Sequence, residues 1–180
     1  MEKNLSKLIH YKIKIMSQAH IHLIVTHLPI FGSLLGTFVL IYGIFTNCVQ
    51  TKIASFLLFI ISAIGAGIAY LTGEGAEEAV ENIQGISENI IEQHEDFAMF
   101  ALVSLIILGV SSLLAIIVAN KNNILSKSTT MATLAIAIVS FALVARTGYL
   151  GGQIRHTEIS SSTGTAQTNA NENGGNEEDD

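Results

Sequence analysis

An apolar stretch, AHIHLIVTHLPIFGSLLG, occupies residues 19–36. It contains three histidines, His20, His22 and His27. A bilayer offers polar groups no water to hydrogen-bond, so ionisable residues near the end of a membrane helix are candidates for function. Neutral imidazoles bind metal ions or the iron of a haem. The first chemistry to consider is therefore cofactor binding by histidines at a membrane surface.

The composition is typical of an integral membrane protein. Of the 180 residues, 49% are hydrophobic and 13% are charged, and the mean hydropathy is +0.50. Soluble domains carry more charge, and a helix needs about 20 apolar residues to cross the hydrocarbon core. We therefore predict an all-α, four-helix membrane bundle. Its four apolar segments are residues 23–46, 53–71, 97–119 and 128–145.

Two polar regions flank this domain of residues 19–156. Residues 1–18 are basic, and two interpretations stay open: an amphipathic arm on the membrane surface, or an overrun before a natural start at Met16, which we favour slightly. The tail, residues 157–180, is rich in Ser, Thr, Asn and Gly and ends in four acidic residues. It is too polar to bury a core, so we expect it to be disordered.

Glycines mark several positions along the domain. GSLLG at residues 32–36 and SAIGAG at residues 62–67 predict close helix packing. The glycines at 73 and 75 are expected to end the second span and begin an acidic extramembrane loop over residues 73–96, which has no Lys or Arg. Ser87 is a plausible N-cap for the next helix. Arg146 is expected to interrupt the fourth span, and the glycines within residues 148–152 are expected to let the chain turn back towards the bundle. Pro29 removes a backbone donor, which predicts either a kink that opens space or a tolerated proline.

Four spans place both termini and the second connection on one side of the membrane, and every histidine lies on that side. Residues seven apart on a helix share a face to within about 20°, whereas His22 and His27 diverge by about 140°. We predict His22, His27, His94 and His156 as cofactor ligands, with His20 in reserve, and we expect His27 to face His94. The full set is His10, His20, His22, His27, His94 and His156.

Three interpretations of this histidine face stay open. A b-type haem needs two axial imidazoles from helices at similar depth. A mononuclear metal needs three or four ligands, and Glu92, Glu95 and Glu158 are available as ligands or as partners that orient the histidines. The third interpretation is that histidines and acids only hydrogen-bond to each other and to lipid headgroups. We predict no catalytic residues, because no nucleophile is paired with a base.

Four motifs together resemble the bacterial membrane family called domain of unknown function 2231, over residues 19–159. They are HLIVTHLPI, LTGEGAEE, EQHEDFA and TGYLGGQIRHTEI, which begin at residues 22, 71, 92 and 147. The short four-helix versions found in Bacteroidetes are the most similar. Many members carry VYxHG where this chain has IRHT, which weakens the case for His156. The family has no established activity, but related domains are joined to cytochrome-c-like modules, and this association implies a redox role.

Charge bears on partners and orientation. No basic stripe is present, which argues against nucleic-acid binding. Six basic residues on the terminal side against three on the other favour termini inside, but a start at Met16 reverses the preference. The basic short connections of the family imply termini outside. We expect a multi-pass protein of the bacterial inner membrane with a periplasmic histidine face, either an electron-transfer subunit with a periplasmic redox partner or a non-catalytic scaffold for such a partner.

Overall fold

The computed structural model describes residues 2–80, 83, 86–119 and 124–155. Helices α2 to α5 form an antiparallel ring in which each helix packs on the next and α5 closes against α2, while α1 packs mainly on α3. The predicted all-α, four-helix membrane bundle is confirmed. The helices are α1 (Glu2–Val25), α2 (His27–Phe45), α3 (Val49–Glu77), α4 (Glu88–Ala119) and α5 (Ile124–Arg155).

Much of the helical surface is apolar and faces outward. Ile24, Phe45 and Leu71 are 72%, 85% and 77% exposed. Exposed apolar area of this extent is unfavourable in water but not in hydrocarbon. The chain is therefore a multi-pass membrane protein. Its four span-length segments are Ser17–Phe45, Val49–Glu77, Glu88–Ala119 and Ser126–Ile154.

Small residues bring α2 and α3 into close contact, as the two glycine runs predict. A methyl group on Gly36 would lie 2.6 Å from the Phe59 ring, and one on Gly65 would lie 2.8 Å from Leu28 Cβ. Side chains at these glycines would therefore force the helices apart. Close packing of backbones is a main source of helix association in lipid, where apolar burial gives little advantage.

Hydroxyl groups buried between the helices hydrogen-bond within their own helix. Ser62 Oγ donates to Leu58 O at 2.8 Å, and Ser112 Oγ donates to Leu108 O at 2.7 Å. Ser33 likewise donates to Pro29 O. These bonds remove the cost of polar atoms in a low-dielectric core. Within the described residues, the buried hydroxyls that lack a hydrogen-bond partner are those of Thr133 and Ser140.

The first span is interrupted at Thr26, between α1 and α2. Pro29 lies three residues further on and has no N–H to donate to the carbonyl of Val25. The helical hydrogen bond that would join the two segments is therefore missing at this point. Thr26 keeps helical backbone angles, with φ −57° and ψ −23°, so the interruption consists of a missing hydrogen bond and not of a change in backbone conformation.

Two predicted helix ends are wrong. α3 continues through the glycines to Glu77, because Gly75 packs closely against Gln18 of α1 instead of ending the helix. α5 continues through residues 146–152 to Arg155, where we had expected an interruption and a turn. By contrast, α4 begins at Glu88, directly after the predicted cap Ser87.

These continuous helices are longer than a crossing of the hydrocarbon core requires. α3, α4 and α5 have 29, 32 and 32 residues, or roughly 44–48 Å at 1.5 Å per residue, against about 30 Å of hydrocarbon. The longest polar extensions are at the end where the histidines lie, and we call this end of the bundle the mouth. Residues 2–18 of the basic arm belong to α1, while His156 and the predicted tail with Glu158 lie outside the described residues.

Candidate functional site

Two half-buried imidazoles occupy the mouth, one on α1 and one on α4. His22 Nδ1 lies 2.8 Å from the carbonyl oxygen of Ala69 in α3, and His94 Nδ1 lies 3.0 Å from the carbonyl oxygen of Thr147 in α5. A carbonyl oxygen only accepts hydrogen bonds, so each ring donates through Nδ1–H. In its neutral form, each ring therefore carries its lone pair on Nε2.

This arrangement is typical of histidines that bind metals. A ligand histidine donates its second ring N–H to a backbone carbonyl or a carboxylate, which fixes the tautomer and the ring orientation. His22 and His94 each meet that requirement through a helix other than their own. The mouth therefore presents two oriented imidazoles whose Nε2 atoms can act as ligands.

Glycines make room for both rings. A methyl group on Gly151 would lie 3.1 Å from His94 Cε1, closer than ordinary contact, and one on Gly73 would lie 3.8 Å from His22 Cε1. The sequence suggested that these glycines end or turn helices. In the structure they stay helical and provide space beside the imidazoles, most tightly at Gly151.

His22, and not His27, turns into the bundle at the end where His94 lies. Its Nδ1 contacts the Ala69 carbonyl of α3, and Gly73 of the same helix lies beside its ring. His27 is exposed; its Nδ1 donates to Leu23 O at 2.9 Å, and its ring stacks with Phe31 at a centroid distance of 6.2 Å. The expected arrangement of His27 opposite His94 is therefore not the one observed. The 140° divergence between His22 and His27 explains the outward direction of His27.

The other histidines are not part of the described pair. His20 is exposed on α1. His10 belongs to the N-terminal half of α1 and His156 lies outside the described residues. The cofactor roles predicted for His27 and His156 stay predictions.

Carboxyl groups form a second feature of the mouth. Glu77, the last residue of α3, lies close enough to Glu95 in α4, the residue that follows His94, for the two carboxyl groups to interact. Glu95 was predicted to act as a ligand or to orient a histidine, and the structure gives it a carboxyl partner instead. Within the described part of the chain, no group of three or more His, Cys, Asp or Glu side chains is placed to hold a metal ion.

The extension of α1 also contacts the mouth. Tyr11 donates its hydroxyl hydrogen to a carboxylate oxygen of Glu78 at 3.0 Å. The pKa of Tyr11 is raised, because Glu78 accepts its proton in a hydrogen bond and its negative charge disfavours the phenolate. Residues before Met16 therefore contact the rest of the protein, although this contact is exposed to solvent.

Sequence reasoning missed the two carbonyl groups and Glu77. Backbone carbonyls have no sequence signal of their own, but Thr72 and Thr147 lie within two residues of the ends of apolar segments and Glu77 lies six residues beyond one, where polar groups meet water. The four motifs behind the family resemblance supply His22, Glu77, His94 and Thr147, so they converge on the mouth. No family model matches the chain, and no curated protein and no solved structure matches it either.

Proposed function

We propose that this protein is a membrane electron-transfer subunit that binds a b-type haem at the mouth, where His22 and His94 would hold the iron. The observation that carries the proposal is that two imidazoles from different helices are each fixed through Nδ1 by a helix other than their own, with both Nε2 atoms left as possible ligands. Two imidazoles are the number that a b-type haem would need from the protein. Bound haem would supply one-electron chemistry through its iron.

The surroundings of the pair fit such a group. His22 and His94 lie at the boundary between the apolar spans and their polar extensions. On α3 this boundary falls between Leu71 and Thr72, and on α4 it falls between Asp96 and Phe97. An apolar environment on the hydrocarbon side excludes water from the ligands. The carbonyl groups of Ala69 and Thr147 accept the Nδ1 protons and increase the basicity of Nε2. The residues of the mouth therefore orient the ligands and set their electronic character.

The mouth also has a surface suited to a partner. Five exposed acidic side chains lie around it, and the segment 73–96 has no Lys or Arg. A protein with a basic patch would be attracted to this surface and oriented by it. We place the mouth in the periplasm of a bacterial inner membrane, as the family resemblance implies. The exposed acids are Glu74, Glu88, Glu92, Glu95 and Asp96.

An absorption spectrum of protein purified from a haem-replete host tests the proposal. We expect a Soret band in the wild type, which His22→Ala and His94→Ala each remove or shift, because each loses an axial ligand. His27→Ala is the matched control, since this exposed ring donates to Leu23 O and stacks with Phe31, and neither residue belongs to the histidine pair. Circular dichroism of all variants shows whether the helices remain folded.

Two results contradict the proposal. One is a folded wild type that is colourless and does not take up added haem. The other is loss of the band in His27→Ala with retention in His22→Ala. In the first case a non-catalytic accessory subunit becomes the better assignment, because the exposed acidic surface would still suit a basic partner.

A further inference from the structure

Arg146 has no part in the histidine site, yet it lies at the same boundary of the membrane. It follows the apolar segment 128–145 directly, and its side chain is exposed. Its guanidinium carbon lies 5.4 Å from the centroid of the Phe97 ring and 5.5 Å from that of Tyr149. Within the described residues its only side-chain interactions are with these two rings. The Arg146 guanidinium is therefore held in a fixed orientation at the end of the apolar span, where lipid headgroups lie.

Arginine at this position suits a phosphate group. The planar guanidinium stacks on aromatic rings and still offers its N–H groups in a fixed geometry that matches phosphate oxygens. Phe97 and Tyr149 belong to different helices, α4 and α5, so the stacking holds the guanidinium between them. Aromatic and basic side chains at the membrane boundary commonly contact headgroups.

The surroundings of Arg146 select among phospholipids by charge. Asp96 is exposed and precedes Phe97 in α4, and the whole segment 73–96 holds eight acidic residues and no Lys or Arg. Gln153 lies one turn beyond Tyr149 and donates to its hydroxyl at 3.2 Å, which leaves its amide oxygen as an acceptor. The acidic residues disfavour a headgroup with net negative charge. A carboxylate and an amide oxygen both accept hydrogen bonds from an ammonium group.

We propose that Arg146, Phe97 and Tyr149 form a binding site for one phosphatidylethanolamine headgroup. Its phosphate binds the Arg146 guanidinium, and its ammonium group donates to Asp96 and to the amide oxygen of Gln153. Phosphatidylcholine has the same charges but no N–H donor, and phosphatidylglycerol has the phosphate but no cation. The proposal is independent of the haem assignment, because none of these residues takes part in the histidine pair.

Native mass spectrometry of delipidated protein tests the site, with each of the three lipids added at equal concentration. We expect phosphatidylethanolamine to bind the wild type more tightly than the other two. Arg146→Gln should weaken its binding about tenfold, since a charge-assisted contact is lost. Arg146→Lys should give an intermediate loss, because it keeps the charge without the planar stack. Lys52→Gln is the control, since Lys52 lies at the other end of α3 and contacts Asn47.

A further variant tests the ammonium contact alone. Asp96→Asn should reduce the preference for phosphatidylethanolamine over phosphatidylcholine while binding through phosphate persists. Equal binding of the three lipids by the wild type would overturn the proposal, as would a preference for phosphatidylglycerol. Unchanged phosphatidylethanolamine binding by both Arg146 variants would also overturn it. The lysine variant keeps the test valid if Arg146→Gln does not fold.

Discussion

In the middle of the bundle, Gly36 and Gly65 bring helices into contact, whereas at the mouth Gly151 makes room for an imidazole ring. The hydrogen bonds of the polar side chains also differ between the two regions. Buried serines in the middle, such as Ser62, donate to a carbonyl of their own helix. At the mouth, His94 donates to a carbonyl of another helix.

The difference separates a structural role from a functional one. A serine that bonds within its helix satisfies its own hydroxyl, so the middle needs no ligand to be stable in lipid. A histidine fixed through Nδ1 still has an unused lone pair on Nε2. The middle of the bundle therefore needs no ligand, whereas the mouth holds histidine nitrogens that can still bind one. Substitutions of Gly65 and Gly151, each with a matched control, test this contrast.

The largest effect is expected in the middle, from Gly65→Ala. Its new methyl group would lie 2.8 Å from Leu28 Cβ, and because that atom is close to the backbone, the helices must separate. We expect the free energy of unfolding to fall by about 1–3 kcal/mol. Denaturant titration in detergent, followed by circular dichroism, measures the change.

Gly67→Ala is the matched control for that substitution. Gly67 lies on the same helix, and a methyl group there would meet nothing within 4 Å. Alanine favours helix over glycine by up to about 1 kcal/mol, so Gly67→Ala should be neutral or stabilising. Equal destabilisation by both substitutions would mean that close packing is not what the glycine in the middle provides.

At the mouth, Gly151→Ala should change the site more than the stability. Its methyl group would lie 3.1 Å from His94 Cε1 and 3.4 Å from Nδ1, so the ring must shift relative to the Thr147 carbonyl. The gain in helix propensity, up to about 1 kcal/mol, offsets part of the strain. Nitrogen NMR of labelled histidine should show a weakened Nδ1–H hydrogen bond for His94.

Gly152→Ala is the control at the mouth, because a methyl group there also meets nothing within 4 Å. Its histidine signals should match those of the wild type. An unchanged His94 signal in Gly151→Ala would show that the ring can move without loss of its carbonyl contact, and the contrast between middle and mouth would then be weaker.

The smallest effect is a shift in the pH dependence of labelling at Cys48, at the end of the bundle opposite the mouth. The pKa of Cys48 is lowered, because Thr51 hydrogen-bonds to the sulfur through its side chain and its backbone N–H. The thiolate therefore forms at lower pH than for an ordinary thiol. Thr51→Val should raise the pKa again and move the labelling curve to higher pH.

Labelling also tests which end of the bundle faces which compartment. A membrane-impermeant reagent should reach Cys48 from one side only. In a Cys48→Ser background, Glu88→Cys should be reached only from the other side, because Glu88 begins α4 at the mouth. Labelling of both positions from the same side would contradict the four-span arrangement.

The histidine pair could be predicted only in part from the sequence. The sequence indicated that all histidines lie at one end, and that His22 and His27 point in different directions. It did not decide which of the two turns towards the end of the bundle where His94 lies, because that depends on the packing of α1 against α3. The carbonyl partners at Ala69 and Thr147 were not predictable, since every residue has a backbone carbonyl and only packing selects one.

Composition and segment length by themselves determined that this protein is an all-α membrane bundle of four spans. A hydrocarbon core demands long apolar helices whatever their tertiary contacts. Tertiary structure decided the role of each glycine. Gly75 and Gly151 resemble helix ends in the sequence, yet they lie within helices, because Gln18 and His94 pack where a side chain would otherwise be. The structural role of a glycine depends on which neighbouring group contacts it, and these contacts form only when the helices pack.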